Sequence, residues 1–217
     1  MVLAADDHGV HRGHAVFDTL AIIEGRVYLL DAHLARFFNS AAAAGLTLPF
    51  SRSQVRRVVL ETAAAGAAMD GSVRVWLGAG RGGYGLSARE CRRPSLHVAV
   101  YTPAAGTDAR LLTPEGDPDG LALYTARSVP PPDAWAAGIK STNYLRNALA
   151  QAEAEARGFD LGVFADPETG IVTEAVNASV GIITAEKELV IPPWDRALPG
   201  VTAQRVADLL PSASFFF

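Results

Sequence analysis

The apolar residues of this chain follow two rhythms, and the switches between them mark its elements. From Ala15 to Ile23 the chain is dense in Val, Phe, Thr and Ile; Glu24-Gly25 breaks the run and Arg26 to Leu30 resumes it. This pattern predicts a β-hairpin. Leu34, Phe37, Phe38, Ala41 and Ala42 then recur at helical spacing, with Asp31 as the expected cap and Gly45 as the stop. Arg36 falls off that apolar stripe. A second helix is predicted from Ser51 to Ala65, opened by a Ser51-x-x-Gln54 capping pattern. Val55, Val58, Val59 and Thr62 line one face of it, and Arg52, Arg56 and Arg57 form its solvated side. Val73, Val75 and Leu77 alternate with Arg74 and Trp76 in a strand, and Leu96, Val98 and Val100 make another.

Residues 102 to 120 carry prolines, glycines and acids without periodicity, which predicts a linker. The expected division is an N-terminal α/β sandwich domain over 1–103, a linker over 104–120 and a β-rich domain over 121–217. Beyond the linker come a strand from Leu121 to Ala126, the loop Pro130-Pro131-Pro132, and a helix from about Tyr144 to Arg157 ended by Gly158. Four short strands follow, Phe159 to Ala165, Ile171 to Val176, Ser179 to Thr184 and Glu188 to Ile191, with Asp166-Pro167-Glu168-Thr169-Gly170 as a turn. A final helix runs from Thr202 to Leu210. Helices gather early and strands late, so two α+β or mainly β lobes are expected rather than alternating βαβ units.

Composition narrows the function. With 217 residues, 49% of them hydrophobic, the chain can bury a sizeable core. A net charge of −4 argues against nucleic-acid or membrane-surface binding, because phosphate attraction needs excess Lys and Arg, and leaves a small-molecule site as the default. No apolar run reaches the roughly 18 to 20 residues that span a bilayer. The start, Met1 to Asp7, lacks the pattern of a signal peptide, so the chain as it stands reads as a cytoplasmic protein. Cys91 has no partner for an internal disulfide and lies in a polar loop, where a nucleophilic role is not expected. His8, His11 and His14 lack the fourth ligand of a defined zinc set, so no metal is expected. The glycine-rich stretch from Gly78 to Gly85 lacks the ending of a nucleotide loop and is expected to be a flexible active-site or hairpin loop.

Lys140 lies at a loop-to-helix junction in Gly138-Ile139-Lys140-Ser141-Thr142-Asn143-Tyr144-Leu145; alone it would read as a solvated surface charge. Four ordered segments change that reading. His33-Leu34-Ala35-Arg36, Lys140-Ser141-Thr142-Asn143-Tyr144-Leu145, Thr173-Glu174-Ala175-Val176-Asn177 and Leu198-Pro199-Gly200-Val201-Thr202 resemble the signature segments of the class IV aminotransferases. That family includes branched-chain aminotransferases, D-amino acid aminotransferases and aminodeoxychorismate lyase, all pyridoxal phosphate enzymes. The stretch from Asp6 to Thr19 is similar to the plant D-amino acid transaminase-like branch.

The resemblance implies an α+β, two-domain fold-type IV architecture, with the second domain incomplete here. It implies that Lys140 bonds the cofactor aldehyde and then serves as general base, which requires access to its neutral form. Glu174 would keep the pyridine nitrogen protonated, so that the ring withdraws electrons. Arg36 would bind the phosphate with its fork, and Val201 and Thr202 would offer N–H groups and a hydroxyl at a helix N-terminus. Tyr144 would contact the cofactor, and Asn177 and Ser179 would hydrogen-bond near its ring or phosphate. Phe17 falls where some members place a substrate-facing tyrosine, and Arg81 is a candidate partner for a substrate carboxylate.

Relatives carry a further strand before Asp6 and several dozen residues after the last helix, so the chain is expected to be truncated at both ends. The expected activity is amino transfer between a small amino acid, a D-amino acid by its closest resemblance, and a 2-oxo acid. The alternatives are a lyase that eliminates pyruvate from aminodeoxychorismate, and a non-catalytic fragment. A homodimer is expected by resemblance, and a plastid location if a transit peptide has been lost.

Overall fold

The computed structural model describes residues 3–102, 120–210 and 213–215. These fall into two compact units. The first holds 3–102 together with Ile139–Thr142; the second holds 120–138, 143–210 and 213–215. Apart from Gly120, the expected linker lies outside the described residues.

The first unit opens with a short helix α1 (His8–His11), capped by Asp7, whose side chain accepts the Gly9 N–H. α1 carries no periodic signal, because four residues are too few to show one. Strands β1 (Ala15–Ile23), β2 (Arg26–Val27), β3 (Gly71–Gly78) and β4 (Ser95–Tyr101) form an antiparallel sheet in the order β2-β1-β3-β4. Val16 pairs with Leu77, Leu20 with Val73, and Val75 with Val98, so one register of each strand faces the core. Helices α2 (Leu30–Ala43) and α3 (Arg52–Gly66) complete it. Leu34, Phe37 and Ala41 of α2 and Val55 and Val59 of α3 are fully buried with Val16, Leu20, Val73, Val75 and Leu77. Each large side chain so buried contributes about 1.5 to 3 kcal/mol.

The cap of α2 differs from expectation. Leu29 is the N-cap, in the left-handed region at φ 46°, and Asp31 lies inside the first turn, where a carboxylate suits the helix dipole. The early start of α2 also shortens β2. At the other end Gly45, at φ +66°, closes the helix: Leu46 N–H reaches Ala41 O at 2.8 Å and Gly45 N–H reaches Ala42 O at 3.0 Å. The capping box of α3 is present in both directions, Gln54 N–H to Ser51 Oγ and Ser51 N–H to Gln54 Oε1.

The glycine-rich stretch belongs to the hairpin connection between β3 and β4, which also contains a 3-10 turn at Ala88–Glu90. It is tied to α1 and its flank. His8 donates from its main chain to Gly80 O and from Nε2 to Gly83 O, and Arg12 donates to Tyr84 O and Gly85 O.

The second unit contains β5 (Leu123–Ala126), α4 (Ala134–Ala137), α5 (Leu145–Glu155), β6 (Leu161–Ala165), β7 (Val172–Ala175), β8 (Ile182–Ile183), β9 (Leu189–Ile191), α6 (Val201–Leu209) and β10 (Ala213–Phe215). One sheet has the order β5-β6-β7, the other β10-β9-β8. β5 and β6 are parallel and joined through α5, a crossover the chain pattern did not foretell. Its close packing depends on small residues: Ala150 and Ala154 are fully buried, and a Cβ on Gly162 would lie 2.8 Å from Ala150 O. The expected strand over Ser179 to Thr184 shrinks to two residues, and α4 follows the proline loop. Among the described residues no helix is long and apolar enough to cross a membrane.

Candidate active site

In the first unit, Lys140 is held by main-chain pairing rather than left at a loose junction. β2 pairs only with Ile22 and Ile23, so the early half of β1 has this edge open for another segment. Ile139–Thr142 takes that place: Phe17 N–H donates to Lys140 O at 2.9 Å, Thr142 N–H to Ala15 O at 2.9 Å, and Val16 bridges Ser141. From the helix side, the hydroxyl of buried Ser40 accepts the Lys140 N–H at 3.1 Å. The half-buried side chain places Nζ 4.8 Å from the centroid of the Phe17 ring.

Phe17 also meets Arg74, whose guanidinium lies 5.4 Å from the same ring, 5.4 Å from Tyr101 and 6.0 Å from Trp76. Arg74 Nε donates to Thr19 Oγ1 at 2.9 Å. Phe17 is paired with Trp76 and Thr19 with Arg74, which puts all four on the sheet face opposite the apolar core. Two cations, Lys140 and Arg74, therefore share one aromatic neighbour. The sequence showed Arg74 only as the polar phase of a strand; its company of Phe17, Trp76 and Tyr101 requires the pairing register.

Arg36 is not on the wet side of α2. Its side chain is 12% exposed, and it forks onto a fully buried Asp18, Nε to Oδ2 at 2.9 Å and Nη2 to Oδ1 at 2.7 Å. The Nδ1–H of His33, one turn earlier, donates to the same Oδ1 at 2.9 Å. Burial opposes ionisation of Asp18, but the hydrogen bonds from His33 and Arg36 outweigh it and hold the carboxyl below its usual range. Asp18 was missed as a functional candidate, although an acid in the core register of an apolar strand is a signal.

Arg81 already has a carboxylate. It makes a two-pronged contact with Asp6, at 2.9 and 3.0 Å, on a side chain 72% exposed. Burial raises the Cys91 thiol, reinforced by Asp7 and Glu90, so it stays protonated. Among the described residues no group of three or more His, Cys, Asp or Glu could hold a metal ion.

The second unit gathers a different set. Glu174 lies on β7 between buried Thr173 and Ala175, and its Oε2 accepts the Leu198 N–H at 3.0 Å. That contact fixes the carboxylate beside the Leu198-Pro199-Gly200 turn. Gly200 caps α6 without a side-chain hydrogen bond, and a Cβ there would sit 2.1 Å from Ser179 Oγ. Only glycine lets the hydroxyl of Ser179 approach the helix N-terminus, where Val201 is buried and Thr202 exposed. Asn177 is exposed in the tight turn closed by Ala175 N–H to Ala178 O, and Asn147 supports it by donating to Val176 O at 2.6 Å. Tyr144 is the half-buried N-cap of α5.

Residues 15–215 match the family described as amino-transferase class IV, and the chain belongs to that family. It is 41% identical over 212 residues to the chloroplastic D-amino-acid transaminase of Arabidopsis thaliana, covering 96% of this chain and 53% of the relative; it thus spans about half that protein's length. It is 29% identical to the bifunctional aminodeoxychorismate lyase / D-amino acid transaminase of Mycobacterium tuberculosis, covering 96% of this chain and 72% of that one. Among solved structures, a hypothetical aminotransferase from M. tuberculosis, with alpha-ketoglutarate and PMP bound, matches with a TM-score of 0.83 and 27% identity over all of this chain and 76% of that one. The architecture is accordingly fold-type IV, and the family's cofactor is pyridoxal phosphate. Each unit by itself carries chemistry that suits this group: the first an amine able to meet an aldehyde, the second a carboxylate able to accept from a ring N–H and a cradle at Gly200 that a Cβ would fill.

Proposed function

We propose that this protein is a pyridoxal phosphate-dependent transaminase that exchanges the amino group of a small D-amino acid with a 2-oxo acid. The observation that carries the reading is Lys140, fixed through its main chain at both Phe17 and Ser40 while its amine lies over the Phe17 ring. The 41% identity to a D-amino-acid transaminase supports the choice of substrate class.

Pyridoxal phosphate, when bound, supplies the aldehyde that accepts an amino group and a ring that draws electrons from the substrate's α-carbon. Lys140 would hold that aldehyde and, once displaced, carry the proton between the α-carbon and the cofactor. Glu174 would keep a proton on the ring nitrogen, its carboxylate already oriented by Leu198. Arg36, Ser179, Thr202 and the first amides of α6, including Val201, would hold the phosphate, which suits the positive end of a helix. Tyr144 and Asn177 would contact the ring. Phe17 would line the substrate side, where Arg74 lies over its ring and would face the substrate carboxylate; Arg81 is the other candidate for that contact.

Incubation with D-alanine and 2-oxoglutarate should give pyruvate and glutamate; no pyruvate from D-alanine, or pyruvate from L-alanine alone, would reject the reading. A lyase is the second reading, supported by the relative whose name carries both activities. Cleavage of aminodeoxychorismate without transamination would favour it. A homodimer and a plastid location belong to the same proposal, the latter supported by the chloroplastic Arabidopsis relative.

A further inference from the structure

We infer that Asp18 is the positioning residue that aims Arg36 at the cofactor phosphate, an inference that rests on reading Arg36 as a phosphate ligand. Asp18 occupies the core-facing register of β1, with Val16, Leu20 and Ile22 on the same side, and its side chain is fully buried. A carboxylate there loses its hydration, and a buried ion pair replaced as a whole by apolar residues of similar volume often leaves stability as high or higher. Its presence therefore calls for a reason beyond packing.

The geometry supplies one. Four donors converge on the carboxylate: Thr19 N–H at 2.8 Å, His33 Nδ1–H at 2.9 Å, and Arg36 Nη2 and Nε at 2.7 and 2.9 Å. Thr19 and His33 fix the carboxylate from the strand and from α2, so the acceptor is itself rigid. The two contacts to Arg36 run along one edge of its planar guanidinium, and two contacts on a plane set its rotation as well as its position. An arginine must lose considerable rotamer freedom to grip an anion, and the fork onto Asp18 supplies that ordering from within the protein. The i, i+3 spacing of His33 and Arg36 follows from the same requirement, since both must reach one carboxylate from one helix face.

The test compares two ligands that differ only in the phosphate. Pyridoxal phosphate and pyridoxal are titrated by quenching of tryptophan fluorescence against the wild-type chain, Asp18→Asn, Arg36→Gln and the double variant. Asp18→Asn is expected to weaken pyridoxal phosphate about tenfold while leaving pyridoxal within about threefold, as expected for loss of an oriented charge-assisted contact. Arg36→Gln should do the same, and the double variant should be no weaker than Arg36→Gln alone. A loss of structure would weaken both ligands together, so equal weakening by Asp18→Asn overturns the proposal. So does a selective loss in Arg36→Gln with none in Asp18→Asn. No selective loss in Arg36→Gln overturns the assignment of Arg36 itself, and the positioning role with it. If Asp18→Asn does not fold, Asp18→Glu keeps the charge but displaces the fork, and its selectivity is judged by the same outcomes.

Discussion

The main-chain N–H of Lys140 donates to the hydroxyl of Ser40, a side chain 1% exposed on α2, although a hundred residues separate the two. In the role proposed for it, Lys140 must keep its backbone still while its amine changes partners, and this contact with the Phe17–Lys140 pairing provides that anchor. Ser40→Ala should leave the amide without its acceptor, at a cost of about 1 to 3 kcal/mol. Thermal or urea unfolding would measure the loss. An unchanged midpoint would show that Ser40 does not hold the segment.

Asp18 should tie stability to acidity. Its folded carboxyl titrates below its ordinary value because His33 and Arg36 outweigh the opposing effect of burial. The stabilisation is then present in full above the ordinary carboxylate range and is lost as pH falls through the lowered folded value. Asp18→Asn should cost about 3 kcal/mol at neutral pH, since it leaves the Arg36 charge without its buried partner. Urea unfolding at several pH values should show a constant gap to wild type down to about pH 4 and convergence below it. A gap that widens in acid would contradict the assignment.

Gly200→Ala should damage the cradle at α6. The new Cβ would meet the hydroxyl of exposed Ser179, so that hydroxyl is expected to rotate away from the helix N-terminus at little cost in stability, and cofactor affinity to fall. Adding Ser179→Ala in the same chain should remove the contact without restoring the lost hydroxyl, with the unfolding midpoint nearly unchanged throughout. Cofactor affinity should stay low in the double variant, because the hydroxyl that faces the helix N-terminus is gone.

Arg74→Gln separates substrate recognition from chemistry. If Arg74 faces the substrate carboxylate, KM for both amino donor and 2-oxo acid should rise at least tenfold while kcat changes less, as for loss of a charge-assisted hydrogen bond. Steady-state kinetics checks this. Equal falls in kcat and kcat/KM would place Arg74 in the chemical step instead.

Much of the first unit was legible in the residues. The Ser51–Gln54 capping box, the stop at Gly45 and the alternation of Val73, Val75 and Leu77 each encode local geometry, and the structure shows all three. Asp31 failed as a cap because the hairpin delivers the chain through Leu29 in a left-handed conformation, a tertiary demand that no local preference reveals. α1 and α4 are four residues each, too short for a period. Among the candidate residues, the resemblance of four short segments to a known family marked Lys140, Arg36 and Glu174, whereas their holders were hidden. Ser40, Asp18 and Leu198 lie far along the chain from the residues they fix, and only folding brings them together.

Reduction of the cofactor-loaded protein with borohydride, followed by peptide mass mapping, tests the central claim most directly. The chain has two lysines, and Lys187 lies exposed in the turn between β8 and β9, so the two outcomes separate cleanly. Covalent cofactor on Lys140, with the visible absorbance band absent from Lys140→Ala, is the predicted result. Label confined to Lys187 or the amino terminus, or a visible band that survives Lys140→Ala unchanged, would contradict it.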